Sequence, residues 1–262
     1  MDQLPFTLEQ IQFYILIFVR ISAIVALLPI FGSQMIPYQL KVGLSLLLSV
    51  ILFSSIMSTH PQIPQTLSIG LLILLIVKEV MVGLAIGFAA SFIFTAVQFA
   101  GRLIDTEIGF GFVELVDPFT DEMVTVFGQL QVMIFTIIFL LFNGHYFLLL
   151  AIQKSFEIIP LMGMHIAGGP VSQHITTMIT NVFILAIKFS APIYVTLILT
   201  EMALGVVART APQINIFFVG MPLKIVIGLL AAIIVFPTLA TLFRSMIEAL
   251  IQDIWRLLYL MA

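Results

Sequence analysis

Six long apolar runs, residues 11–28, 42–57, 67–100, 124–141, 175–208 and 225–243, take up most of this chain. About 20 helical residues cross a hydrocarbon core of ~30 Å, so runs of this length are on the scale of a membrane rather than of a soluble core. Covering them with a water-facing surface would need many charges. The 262 residues hold 10 basic and 13 acidic side chains, and the resulting 9% charge compares with about a quarter in soluble domains. The fold class that follows is all-α, an integral membrane protein built of helical hairpins. A net charge of −3 with no basic block argues against nucleic acid as a partner. The absence of Cys removes disulfides, thiol nucleophiles and cysteine metal sites together. Asp2 and Glu9 but no Lys or Arg precede the first run. That start lacks the positive region of a secretory signal, so the N-terminus is expected to be retained.

The runs do not make a regular bundle. Residues 42–57 are short for a span, 67–100 would rise roughly 50 Å as one helix, and Lys78 and Glu79 lie inside that run. Pro192 falls in the middle of 175–208, where the missing N–H usually kinks a helix. Breaks are expected at 29–37, 59–64, 101–122, 143–145, 163–170 and 209–222, each pairing Gly or Pro with polar residues. In the tail, Glu248, Gln252 and Arg256 recur every four residues opposite Leu250, Ile254, Leu257 and Leu258. This is the pattern of an amphipathic helix, and Trp255 and Tyr259 suit an interfacial depth. Basic residues are spread too evenly over the loops to set an orientation.

Four features bear on function. Residues 101–122 collect Asp105, Glu107, Glu114, Asp117, Asp121 and Glu122, six of the 13 acids, around an apolar centre with Gly109, Phe110, Gly111 and Phe112. Two Phe between flexible glycines fit a pliable apolar plug that seals a conduit by dewetting, or a loop that packs its Phe on neighbouring helices. The glycines are not a nucleotide loop, because Glu114 stands where G-x-G-x-x-G needs its last Gly. Glu79, Gly83, Gly87, Ser91 and Thr95 recur at intervals of four on one helix face. Small residues there allow close helix approach, between subunits or within the chain. Arg20, Lys78, Glu79, Lys188 and Glu201 place charge inside apolar runs, which fits a proton relay or structural pairing. No acidic pair or His cluster marks an ion path. Finally, Arg209, Gln213, Asn215, Pro222 and Lys224 crowd into the turn between two runs, as a set of subunit contacts or a solvated hairpin tip.

Catalytic signatures such as H-E-x-x-H, G-x-S-x-G and the P-loop do not occur. His60, His145, His165 and His174 are scattered. Neither an enzyme, a cofactor nor a metal is expected. A secondary transporter, the other alternative, would need inverted repeats and a midplane polar site, and neither is visible.

Several of these segments together resemble the flagellar export-gate family of FliR and its virulence type III secretion relatives. They are RISAIVALLPIFGS at 20–33 with Pro37, GFGF and LVDP within 101–118, FNGH at 142–145 and EMALGVVARTAPQINIFFVGMPLK at 201–224. The resemblance covers almost the whole chain, and APQINIF is closer to the flagellar branch than to the injectisome branch. It implies a non-enzymatic subunit of the inner-membrane export gate at the flagellar basal body, in a closed helical core raised toward the periplasm. Its partners would be FliP, FliQ, FlhB and FlhA, surrounding membrane lipid, and unfolded flagellar subunits in transit. It further implies a FliP-like part over residues 1–170, with a plug loop at 106–122, and a FliQ-like hairpin over 171–262. Ile108, Gly109, Phe110, Gly111, Phe112, Val113, Glu114, Leu115, Val116, Asp117 and Pro118 would form the plug. Gly83, Gly87, Ser91, Arg209, Gln213, Asn215, Pro222 and Lys224 would meet neighbouring subunits. The equivalent subunit of a virulence secretion system is the alternative.

Overall fold

A computed structural model describes residues 7–28, 31, 36–59, 67–109, 126–161, 163, 168–213 and 215–262. Every regular element among them is an α-helix: α1 Leu8–Leu27, α2 Tyr38–Thr59, α3 Ile69–Ile108, α4 Val126–Leu141, α5 Gly144–Ile158, α6 Gly168–Thr210 and α7 Ile216–Met261. Among the described residues, five segments are long and apolar enough to cross a membrane, and a sixth follows if 127–158, interrupted at the 142–143 turn, crosses as one broken span. The all-α membrane fold expected from the composition is what forms.

Several helix boundaries have a local cause. Thr7 caps α1: its hydroxyl accepts from Gln10 N at 3.3 Å while Gln10 Oε1 accepts from Thr7 N at 3.0 Å, which satisfies two otherwise orphaned donors. Between α4 and α5 the chain turns at Asn143, held at φ 58, a left-handed conformation that Asn tolerates better than most residues. Its carbonyl accepts from Tyr146 N at 2.9 Å. Helix α3 differs from expectation. It runs 40 residues without a break, about 60 Å at the helical rise, and takes in residues 101–108, which composition assigns to the loop. Helix α6 starts at Gly168 and so absorbs the Gly-Gly-Pro expected as a break, because Pro170 sits in the first turn where its missing N–H had no partner to lose. Pro192 is likewise inside α6, and Pro222 and Pro237 inside α7.

The chain divides into two compact units. The first comprises Met1–Phe92, Asn143–Met178 and Ala249–Ala262. Its core is α1, whose Leu16, Ile17 and Ile21 are fully buried. Phe53 of α2 meets Phe13 and Tyr14 edge-on at 6.5 and 5.9 Å, and the Gln12 amide exchanges hydrogen bonds with the Leu67 backbone at 3.1 and 3.3 Å. By contrast only 11% of the Tyr38–Met57 window of α2 is buried, so Leu40, Leu47, Val50 and Ile51 present an apolar face. The tail of α7 buries Leu250, Ile254, Leu257 and Leu258 and exposes Glu248, Gln252 and Arg256, the amphipathic split read from the sequence. The second unit comprises Ile93–Phe142 and Ile179–Glu248. Phe135 and Phe189 pack on Phe243 at 4.9 and 4.8 Å between ring centres, and Phe94 meets Phe135 at 4.8 Å.

Candidate functional site: a clamped stem and a charged hairpin turn

In the second unit, the end of α3 and the start of α4 are bound to each other. Helix α3 stops where Gly109 adopts φ 97, a conformation that suits glycine and ends a helix. The first N–H groups of α4 have no partner within their own helix. Asp105 of α3 supplies one for two of them: Oδ1 accepts from Phe127 N at 2.9 Å and Oδ2 from Gly128 N at 3.0 Å. The carboxylate also sits at the positive end of the α4 dipole. Gly101 fixes the crossing distance. A Cβ there would lie 2.2 Å from Gly128 Cα and 2.7 Å from Gly128 N, so only two glycines let the backbones approach this closely. Ile104, Ile108 and Phe127 complete the contact in a buried cluster with Ile193 and Leu197 of α6. The end of α3 and the start of α4 are therefore held side by side.

The same end of α3 is tied to α7. Lys224 Nζ donates to the Glu107 carbonyl at 3.3 Å and lies 3.7 Å from Glu107 Oε1 and 3.1 Å from Glu201 Oε2. The Glu107 carbonyl belongs to the last turn of α3, where helix carbonyls lack partners and a cation is favoured. Lys224 and Glu107 are each 16% exposed at the side chain, whereas Glu201 is 61% exposed. One ammonium thus serves two carboxylates contributed by α3 and α6. The sequence, which shows no acidic pair, conceals this convergence because the two acids are far apart along the chain.

In the first unit the charges inside the apolar runs are structural partners. Arg20 is fully buried and its Nε donates to Glu79 Oε2. Its Nη1 donates to the Ser155 and Ile159 carbonyls at 3.0 and 2.9 Å, and its guanidinium stands 4.3 Å over the Phe156 ring. Arg20 therefore neutralises α3 and caps the C-terminal carbonyls of α5 from within the hydrophobic layer. On the small-residue face, Gly83 and Gly87 lie against α1 of the same chain. A Cβ on Gly83 would lie 2.6 Å from the Arg20 carbonyl, and one on Gly87 would lie 2.7 Å from Leu27 Cβ. His174 Nε2 lies 3.1 Å from the Asp253 carbonyl and 3.8 Å from Asp253 Oδ1. Burial holds the Asp253 carboxyl above its ordinary value, against the opposing pull of His174 and Arg256.

The other sequence-selected residues are distributed as follows. Phe110, Gly111, Phe112, Val113, Glu114, Leu115, Val116, Asp117 and Pro118 lie outside the described residues, while Ile108 is buried as the last residue of α3. Ser91 is half-buried, with its hydroxyl donating to the Phe88 carbonyl at 2.7 Å. Lys78 is half-buried and Lys188 exposed. Arg209 is exposed in the last turn of α6, Gln213 and Asn215 are exposed in the turn, and Pro222 and Lys224 belong to the first turns of α7 instead of the loop. Sequence reasoning missed Asp105 and Glu107 as anchors. The signal that locates them is Ile104 and Ile108, one helical repeat apart and both buried.

The family described as "Bacterial export proteins, family 1" matches residues 11–250. The "Flagellar biosynthetic protein FliR" of Bacillus subtilis (strain 168) is 34% identical over 250 residues, covering 94% of this chain and 95% of that protein. The protein of the same name from Escherichia coli (strain K12) is 26% identical over 255 residues, covering 96% and 93%. The "Secretion system apparatus protein SsaT" of Salmonella typhimurium is 32% identical over 163 residues, covering 62% of this chain and 63% of its own length. With nearly its entire length accounted for, the chain belongs to the bacterial export protein family that contains the FliR proteins.

Proposed function

We propose that this chain is a non-enzymatic core subunit of the flagellar type III protein export gate in the bacterial inner membrane, and that it helps to form and to plug the channel through which unfolded flagellar subunits leave the cytoplasm. The observation that carries the reading is the alignment with FliR proteins over almost the whole of both chains. The flagellar branch is preferred to the virulence branch because the match to SsaT spans only 62% of this chain. The apolar faces of α2, α6 and α7 are then surfaces for lipid and for FliP, FliQ, FlhB and FlhA. Residues 1–170 act as the FliP-like part and 171–262 as the FliQ-like hairpin, with Arg209, Gln213, Asn215, Pro222 and Lys224 around its turn. The assembled core stands raised toward the periplasm at the flagellar basal body.

The plug, residues 108–118, gains support from its stem. Asp105, with the close approach of Gly101 to Gly128, holds the end of α3 beside the start of α4, so the plug is flanked by two helix ends fixed to each other. Co-purification from the native membrane tests the reading. FliP-like and FliQ-like chains are expected to come with the tagged subunit in one detergent-stable complex. A monodisperse, protease-resistant monomer with neither would contradict it.

A further inference from the structure

We propose that the cleft between the end of α5 and the tail of α7 binds the headgroup of a membrane phospholipid that carries both a phosphate and a primary ammonium. Lys154 takes the phosphate and Glu157 the ammonium. The proposal goes beyond the export reading and needs only that the chain sits in a membrane. The cleft lies wholly within the first unit, holds about 570 Å³, and its lining includes Lys154, Glu157 and Ile158 of α5 and Trp255 and Tyr259 of α7. That volume falls within the ~300–1,000 Å³ of small-ligand sites.

Three observations point to this ligand. The first is the position of Glu157. It stands in the last turn of α5, where the free carbonyls favour a cation and a carboxylate is misplaced. Lys154 Nζ lies 2.6 Å from Glu157 Oε2, but Lys before Glu is the less favourable order along a helix. With the two side chains 44% and 46% exposed, such a pair adds little to stability. Arg20 serves the Ser155 and Ile159 carbonyls from the buried side. On the open side Glu157 opposes the helix dipole, and a ligand ammonium there would meet both the carboxylate and the negative helix end.

The second observation is unused capacity. Among the described residues, the pair engages one of three ammonium donors and one of two carboxylate oxygens, so each charge can take a further partner without the two separating. Opposite charges this close match the phosphate and ammonium of one headgroup, whereas Glu157 repels a purely anionic one. The free Glu157 oxygen accepts a hydrogen bond only from an ammonium that carries N–H, which selects a primary amine over a quaternary one. The third observation is depth. Lys154 and Glu157 close the broken 127–158 span, and Trp255 and Tyr259 stand one turn apart on the tail of α7, beyond its 218–237 span. Trp255 is half-buried and Tyr259 exposed, and such side chains settle at headgroup level.

Trp255 is the only tryptophan of the chain and reports occupancy. The purified protein, with whatever chains accompany it, is placed in phosphatidylcholine nanodiscs that contain an equal minor fraction of brominated phosphatidylethanolamine, phosphatidylglycerol or phosphatidylcholine. Quenching of Trp255 emission by bromine is read as the difference from the Trp255→Phe protein. Brominated phosphatidylethanolamine is expected beside Trp255 at about five-fold enrichment over brominated phosphatidylcholine, the scale of one exposed charge pair. Phosphatidylglycerol is expected to show none. Glu157→Gln should abolish the ethanolamine preference and raise phosphatidylglycerol above phosphatidylcholine, because Lys154 then acts alone, whereas Lys154→Gln should lower ethanolamine enrichment without admitting phosphatidylglycerol. The comparison of lipids on the parent needs no substitution at the two charges. Equal quenching by the three lipids in the parent overturns the site, and strongest quenching by phosphatidylglycerol overturns the paired recognition in favour of a lone basic residue. Glycerophosphoethanolamine added in water should leave the quenching unchanged; relief by it would assign the cleft to a soluble phosphate ester and overturn the lipid.

Discussion

Gly101→Ala is the smallest change that challenges the stem. The added Cβ would sit 2.2 Å from Gly128 Cα and 2.7 Å from Gly128 N, both backbone atoms that no side-chain rotation can move aside. Carbon atoms in contact prefer about 3.5–4.0 Å, so α3 and α4 must separate by more than about 1 Å. Overpacking of this kind costs about 1–3 kcal/mol. The separation also stretches the bonds from Phe127 N and Gly128 N to Asp105, now 2.9 and 3.0 Å, and hydrogen bonds to a charged group are worth about 1.5–3 kcal/mol each. Against this stands a gain of about 1 kcal/mol from replacing glycine in a helix. The net expectation, with one bond to Asp105 lost, is a loss of about 1.5–5 kcal/mol. Gly43→Ala is the control, because a Cβ there meets nothing within 4 Å and only the propensity gain of about 1 kcal/mol remains. Thermal melting of the detergent-solubilised complex should show Gly101→Ala unfolding well below, and Gly43→Ala at or above, the parent. Equal melting of the two alanine variants would refute the close crossing and the capping argument together.

Three further predictions follow the same logic. Arg20→Ala should lower complex yield and melting temperature sharply, since an unpaired buried Glu79 costs about 3–5 kcal/mol, whereas Arg20→Met with Glu79→Leu should recover much of the loss; a double variant as damaged as the single one would mean that the ion pair is not the reason. Gly87→Leu should reduce yield far more than Leu84→Ala, because the former drives a side chain into Leu27 and the Ile24 carbonyl while Leu84 is 42% exposed, and comparable yields would remove Gly87 from the α1–α3 contact. Asp253 has a raised carboxyl pKa in the folded chain, so its contribution to stability is present below its ordinary value of 3.8 and is lost as pH rises through the raised one; Asp253→Asn should match the parent in melts at the acid end and exceed it near neutrality, and a variant that melts lower at neutral pH would reverse the sign.

Much of the architecture was legible because hydrocarbon leaves the backbone few options. Apolar length and the lack of charge led directly to membrane helices, and the four-residue spacing of Glu248, Gln252 and Arg256 foretold which side of the tail is exposed. What stayed hidden has a common cause. Residues 101–108 read as loop because Arg102, Asp105 and Glu107 are charged, yet Asp105 and Glu107 find partners on α4 and α7 that no local pattern encodes. Gly168, Gly169 and Pro170 read as a break because local propensity says so, although a first helical turn accepts them. Arg20 was visible as a costly charge and Glu79 as a member of a helix face. Their pairing needed α1 and α3 to be brought together by Gly83 and Gly87.

The central claim is that Phe110 and Phe112 of the proposed plug seal a channel without holding the complex together, and one measurement on one set of membranes addresses it: ion leak and complex yield for Phe110→Ser with Phe112→Ser. Hydrated serines no longer favour dewetting, so the account predicts a complex of normal yield that leaks ions. Two Phe buried in an ordinary packed loop would instead cost about 3–5 kcal/mol each on truncation. A complex that fails to form and never leaks would contradict the account.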